Sequence, residues 1–284
     1  MNAHAQPRGT GRPAPRAVPI CINAAISNQL LVALPADVKD RWRQWLEPVD
    51  LQAGQVLYES GCRQSHAYFP SNAIVSLLYV TENGKSAEIA VVGREGVVGI
   101  ALFMGGDTTA DRAVVQSAGM AYRLTAQFIK TEFEQSPDVV RLLLSYTQAL
   151  ITPMAQTAVC NRHHSVDQQL CRWLLWSLDR LPGNEVKVTQ EQIAHMLGVR
   201  REGVTEAALK LQQAGLISYS RGHITVTDRC GLEHRTCECY GVVKAEYERL
   251  LPQPDQPATL PSTVSLRTVG MHPGQALVHR QRYR

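Results

Sequence analysis

Residues 188–226, VTQEQIAHMLGVRREGVTEAALKLQQAGLISYSRGHITV, constrain this chain more than any other stretch. Thr189 followed by Gln192 fits a capping box, in which each side chain satisfies a backbone N–H that the helix start leaves open. Ile193, Ala194 and Leu197 make one apolar face, and Gly198 supplies the left-handed residue that a helix-turn-helix requires. A second helix is predicted from about Arg200 to Ala214, with Val204, Ala208 and Leu211 inward. Residues 217–226, turning at Arg221-Gly222, read as a hairpin directly behind it, a wing. In such an element the start of the second helix meets base edges in the major groove. Arg200, Arg201, Glu202, Thr205 and Glu206 occupy that part. Arginine bonds bidentately to guanine and glutamate accepts from cytosine N4. Thr189, Gln190 and Arg221 are placed for backbone phosphates, with His223 beside them. A helical hairpin packed in some other domain would leave the two caps, the glycine turn and the adjoining hairpin as coincidences.

The other elements follow from changes of hydrophobic period. Residues 28–46 read as two helices, with Pro35 in the first turn of the second and Val38, Trp42, Trp45 and Leu46 recurring at helical spacing. From Val49 to Leu124 short β-like runs alternate with turn signals: GQVLYESG, AYFPSNAIVSLLYV, KSAEIAVV, GVVGIALF and RAVVQSAGMAYRL. Asn83-Gly84 between two of them is the signal of a type I′ hairpin. About seven or eight such strands imply an antiparallel barrel or jelly roll. A short helix over 125–135 precedes a long one, with Ser136 as N-cap and Pro137 at its first position. Along it Val140, Leu143, Thr147, Leu150, Met154, Thr157 and Asn161 repeat at three- and four-residue steps, the pattern of a coiled-coil seam. Pro153 predicts a bend there or a break capped by Thr152. Ser165 and Gln168 fit a second capping box, opening a helix that ends at Pro182-Gly183.

The expected fold is therefore α+β: a disordered tail (1–27), an antiparallel β-roll of jelly-roll type (28–135), a long dimerisation helix (136–163), a winged helix-turn-helix (164–230), a helical extension (231–251) and a second disordered tail (252–284). The tails are rich in proline, arginine and small residues. Residues 28–135 hold nine Lys and Arg against twelve Asp and Glu, whereas 160–229 hold nine against seven. An acidic front and a basic back fit a sensor joined to a nucleic-acid reader. No apolar run is long enough to span a bilayer, and the N-terminus lacks the apolar region of a secretory signal. Seven scattered cysteines suit a reducing cytoplasm rather than a disulfide framework.

The chain resembles the Crp/Fnr family of transcription regulators over roughly residues 28–230. LGVRREGVTEAALKLQQAGLI is similar to the family's recognition motif, G-x-[ST]-R-E-x-[VT]. The resemblance implies base contacts by Arg201 and Glu202, a two-fold symmetric homodimer on a palindromic double-stranded DNA operator, and RNA polymerase as a partner. Arg200 replaces the usual Ser or Thr, and Glu206 stands where a third contact is often arginine, so the operator is expected to differ. The ligand cassette departs further. Members that bind cyclic AMP resemble F-G-E-x-A-L-F followed by R-S or R-T. Here Val98-Gly99-Ile100-Ala101-Leu102-Phe103 puts Ile100 where the glutamate belongs, and Asp111 and Arg112 stand at the arginine-serine position. Met154 and Ala155 fall where hydroxyl residues touch the adenine. The effector pocket is therefore assigned to Gly99, Ile100, Leu102, Arg112 and Met154, with a ligand other than a cyclic nucleotide and no certain cofactor. Cys21 alone near the N-terminus excludes a four-thiolate iron–sulfur cluster. His66, His163 and His164 specify no haem site, and a pH or metal role for His163-His164 stays open. Cys230, Cys237 and Cys239, with His234 nearby, are weak zinc candidates because the spacing lacks a C-x2-C knuckle; no metal is assigned. No nucleophile or acid–base pair stands in a catalytic frame, so an enzyme is not expected. The alternative output is a protein partner, with a reader half that no longer binds DNA.

Overall fold

The computed structural model describes residues 27–251 except Pro182 and Arg221. The expected tails, Cys21 and the wing-tip arginine thus lie outside the described residues. Two short helices come first, α1 (Gln29–Ala33) and α2 (Ala36–Trp42). Asn28 ties them down: its buried side chain accepts from Leu31 N and donates to the carbonyls of Pro70 and Gly96 at 2.9 and 2.8 Å. Pro35 sits one place earlier than expected, as the N-cap of α2. Trp42 is buried and donates to Glu132 Oε2 at 2.8 Å. Trp45, expected inside, is exposed and stacks on Phe128.

Seven antiparallel strands build the roll: β1 (Glu47–Leu51), β2 (Val56–Tyr58), β3 (His66–Pro70), β4 (Ile74–Val80), β5 (Ser86–Val92), β6 (Arg112–Ser117) and β7 (Gly119–Thr125). They form one sheet in the order β1-β7-β3 and another in the order β2-β6-β4-β5. Two local expectations are corrected. Asn83-Gly84 does not form a type I′ turn, which needs positive φ at both residues. Among the described residues only Asp107 and glycines have positive φ, so Gly84 alone, at 79°, is left-handed, and Thr81 N–H reaches the Lys85 carbonyl. GVVGIALF is not a strand. Val98 makes one bridge to Tyr68, and Gly99, at φ 106°, turns the chain into a 3-10 turn at Ile100–Leu102.

After the roll come α3 (Ala126–Gln135) and α4 (Pro137–His163), the latter one continuous helix through Pro153. Ser136 stands at the N-cap with no side-chain cap bond. The seam expected along α4 mostly faces its own subunit: Leu143, Thr147 and Leu150 are buried, and Val140 and Met154 partly so. The exposed stripe is a different one. Leu144, Gln148, Ile151, Ala155, Ala158 and Arg162 recur at four- and three-residue steps, and Leu144, Ile151 and the adjoining Val159 expose 47, 56 and 46% of their surface.

Helix α5 (Val166–Arg180) opens on the expected Ser165–Gln168 capping box. The second hydrophobic core then gathers α6 (Gln190–Leu197), α7 (Arg201–Gln213) and a small sheet. That sheet has three strands, β8 (Glu185–Lys187), β9 (Ile217–Ser220) and β10 (His223–Val226), in the order β8-β10-β9. The extension is two helices, α8 (Arg229–Arg235) and α9 (Cys239–Leu250). Helix α9 packs along α4 and α5, with Tyr240 and Val243 in the second core and Tyr247, Leu250 and Leu251 against the first. Val242 is exposed. No helix among the described residues is long and apolar enough to cross a membrane.

Candidate DNA-reading face and ligand cavity

The reading face is positioned by local sequence. The Thr189–Gln192 capping box starts α6, and Gly198, left-handed at φ 66°, ends it. Arg200 then takes the N-cap position of α7 with an extended backbone, so the polypeptide turns sharply between the two helices. Val204, Ala207, Ala208 and Leu211 pin α7 to the core. That leaves Arg200, Arg201, Glu202, Thr205 and Glu206 outward on its first two turns, all exposed. Arg201 has one loose neighbour, Glu191, at 4.0 Å. Glu206 pairs with Lys210 at 2.8 Å.

Thr205 and Gln190 do something the sequence reading did not foresee. Thr205 Oγ1 donates to Gln190 Oε1 at 2.8 Å, which links α7 to the start of α6. The Thr189 hydroxyl is likewise engaged in its cap, accepting from Gln192 N at 3.2 Å. Thr205 and Gln190, both expected to contact DNA, thus hold the two helices in register, while Thr189 caps α6. His223 is paired with Glu185 across the wing. Arg221 lies outside the described residues. The reader also leans on the roll: α6 packs on β5, and a Cβ at Gly198 would lie 3.8 Å from that of Ala87.

A cavity of about 320 Å³ lies between the roll and α4. Gly99, Ile100 and Met154 line it as expected, together with Tyr58, Gln64 and Asp111. Two expected residues do not. Leu102 is buried in the core at 1% exposure, because the 3-10 turn carries it inward. Arg112 points away and pairs with Glu59 at 3.1 Å. Neighbouring strand residues face opposite sides of a sheet, so the inward residue is Asp111. The cavity's one charged lining group is thus a carboxylate. It accepts from the Tyr58 hydroxyl at 2.8 Å and also from Thr109. Burial first, and Asp111 second, hold the Tyr58 phenol protonated well above its ordinary range. The Gln64 carboxamide oxygen is buried with no partner among the described residues.

The cysteine candidates separate. Cys230 is exposed and sits with His234 on one face of α8. Cys237 and Cys239 are buried and meet Cys160 and His164 from the end of α4. A Cys-x3-His spacing at a helix end places both side chains on one face, and that was the available signal.

The family model for the cyclic nucleotide-binding domain matches residues 48–136, and that for the Crp-like helix-turn-helix domain matches 168–235. Solved structures share the whole arrangement. A regulator described as of the Crp/Fnr family from Eubacterium rectale is 18% identical, covering 74% of this chain and 98% of its own at a TM-score of 0.59. The chain belongs to the Crp/Fnr family. The c-di-GMP responsive global regulator CLP of Xanthomonas campestris is another structural neighbour of this Crp/Fnr chain, 16% identical over 68% of it and 99% of CLP, with a TM-score of 0.56. FixK2 of Bradyrhizobium japonicum is 14% identical over 68% and 98%, with a TM-score of 0.57. Comparison with curated proteins finds no match. The family is one of transcription regulators with a helix-turn-helix DNA-binding domain.

Proposed function

We propose that this family member is a cytoplasmic, homodimeric, sequence-specific regulator whose effector is not a cyclic nucleotide. The observation that carries the reading is the exposed Arg200-Arg201-Glu202 start of α7, held outward by the Gly198 turn and the Thr205–Gln190 bond. Arg201 and Glu202 read base edges, with Arg200 beside them. Glu206, a carboxylate already paired with Lys210, shifts the preferred operator. RNA polymerase is the partner that the family resemblance implies.

Dimerisation is assigned to the exposed stripe of α4, with a second copy of this chain as occupant. Leu144, Ile151, Ala155 and Ala158 fall at the a/d spacing of a two-helix seam, with Val159 beside it, and the buried inner face of the same helix explains why two stripes run along it. The division into roll (28–135), dimer helix (136–163), reader (164–230) and extension (231–251) follows from these roles.

The cavity supports an effector that is neutral or cationic and carries hydrogen-bond donors. Asp111 and the unpartnered Gln64 oxygen are acceptors, and no lining residue is basic. At 4 Å, two like unit charges repel by about 4 kcal/mol at an effective dielectric of about 20. A cyclic nucleotide phosphate meets that cost with no arginine to offset it. So does an anionic dinucleotide of the kind named for the Xanthomonas protein. Strand β5 links cavity to reader: Ile89 lines the cavity, and α6 packs on the same strand.

The test is an operator-binding assay with Arg201→Ala. Loss of one bidentate contact costs about 1–3 kcal/mol, roughly 5- to 150-fold in affinity, and relaxes specificity at one base pair. An unchanged footprint and affinity would remove Arg201 from the interface. Failure of the unmodified protein to bind any DNA would leave the protein-partner output instead.

A further inference from the structure

We propose that Cys160, His164, Cys237 and Cys239 form a closed, four-coordinate zinc site that fastens the end of the long helix α4 to the C-terminal extension. Their donor atoms all lie within 4.8 Å of one another. The Cys160 and Cys237 sulfurs are 3.6 Å apart, as are the Cys239 sulfur and His164 Nδ1. A tetrahedral zinc with bonds of about 2.3 Å to sulfur and about 2.05 Å to nitrogen has sulfur–sulfur edges of about 3.8 Å and sulfur–nitrogen edges of about 3.6 Å. The donors are therefore already spaced for one ion. A disulfide, with sulfurs about 2.05 Å apart, is not formed and would leave Cys239 and His164 without a role.

Two further observations point to a metal rather than to packed thiols. The cysteines are 0, 4 and 0% exposed and the His164 side chain 12%, so the four donors form a polar knot largely shut away from water. His164 turns Nδ1 toward the sulfurs, and its Nε2 lies 3.3 Å from Glu238 Oε2. A carboxylate on the far nitrogen is how a metal-binding imidazole is usually oriented and made more basic. Soft sulfur with imidazole in tetrahedral array selects zinc over magnesium or calcium. Four protein donors leave no open position, which makes the site structural rather than catalytic. Binding forms three zinc–sulfur bonds and one zinc–nitrogen bond, and releases the thiol protons to solvent.

The location gives the site a purpose. His164 caps α4 immediately before the Ser165 capping box of α5, where the chain passes from the dimer helix to the reader. Cys237 and Cys239 flank the start of α9, the helix that touches both cores. One ion at this joint fixes the angle between them. The inference stands on this geometry alone and holds whether or not the DNA-reading assignment does.

The test is metal analysis of the full chain purified without chelators or a histidine tag, with cobalt(II) as the spectroscopic probe. The expected result is close to one zinc per chain, thiolate-to-cobalt charge-transfer bands with intense tetrahedral d–d bands on substitution, and loss of both in Cys239→Ser. Cys230→Ser, outside the cluster, retains the metal. Because Cys239→Ser risks failing to fold, titration of reduced unmodified protein with cobalt is decisive by itself. Absence of metal together with absence of those bands overturns the proposal, as does a Cys160–Cys237 disulfide in protein prepared and held under reductant.

Discussion

Replacing Glu95 by Ala removes one half of the ion pair that joins the roll to the last turn of α5. Arg180 Nε donates to Glu95 Oε1 at 2.7 Å, and the two side chains are 9 and 11% exposed. The same carboxylate oxygen accepts from Gly93 N at 3.1 Å, and Arg180 keeps its bond to the Trp176 carbonyl at 2.9 Å. The substitution thus breaks two charge-assisted bonds, each contributing about 1.5–3 kcal/mol, and strands a guanidinium out of water. Removing one partner of a buried pair costs about 3–5 kcal/mol in all, and the same is expected here. Urea unfolding of Glu95→Ala, followed by tryptophan fluorescence, is expected to show this loss. The double variant Glu95→Gln with Arg180→Met removes the orphan charge and should recover most of it. A loss under about 1 kcal/mol in Glu95→Ala would mean instead that water or another acceptor reaches Arg180.

Two more perturbations test other joints. Burial, opposed by the Ser76 hydrogen bond and by Arg172, pushes the Glu88 carboxyl from 4.5 up to about 7. The folded state then holds a proton that the unfolded state has released, so stability falls as pH rises from about 4.5 to about 7, by up to about 3 kcal/mol. Glu88→Gln should flatten that slope and be the more stable form at pH 8, as read by urea unfolding across pH; an unchanged slope would place the titration elsewhere. Ile151→Asp puts a charge into the proposed α4 seam of each copy while leaving a monomer's core untouched. Sedimentation should show a dimer weakened by about 100-fold or more, corresponding to about 3 kcal/mol of uncompensated desolvation. A dimer of unchanged affinity would move the seam off this stripe.

What was legible in the sequence was local. The Thr189 and Ser165 capping boxes, the Gly198 turn and the limits of α7 depend on residues three or four apart, and the structure has them within a residue of expectation. What required more than local pattern came out differently. Helix α4 is apolar on two sides, so periodicity revealed a stripe without telling the face toward its own roll from the face left open. The GVVGIALF run has β composition, but Gly99 takes a left-handed turn and carries Leu102 out of the cavity. Which of Asp111 and Arg112 faces inward depends on strand register, which composition does not contain. The third wing strand is three residues long and gains its partner only from β10. The Cys160–Cys237 contact spans 77 positions, a distance at which spacing rules say nothing.

In the proposed two-fold dimer, α7 of each copy reads DNA sequence. Selection from random duplex DNA with the full chain tests it most directly. The expected result is enrichment of a palindrome whose half-sites are centred about one helical turn apart, with the preference at one position in each half-site relaxed by Arg201→Ala. Recovery of unenriched sequence, or of a site that Arg201→Ala reads identically, would contradict it.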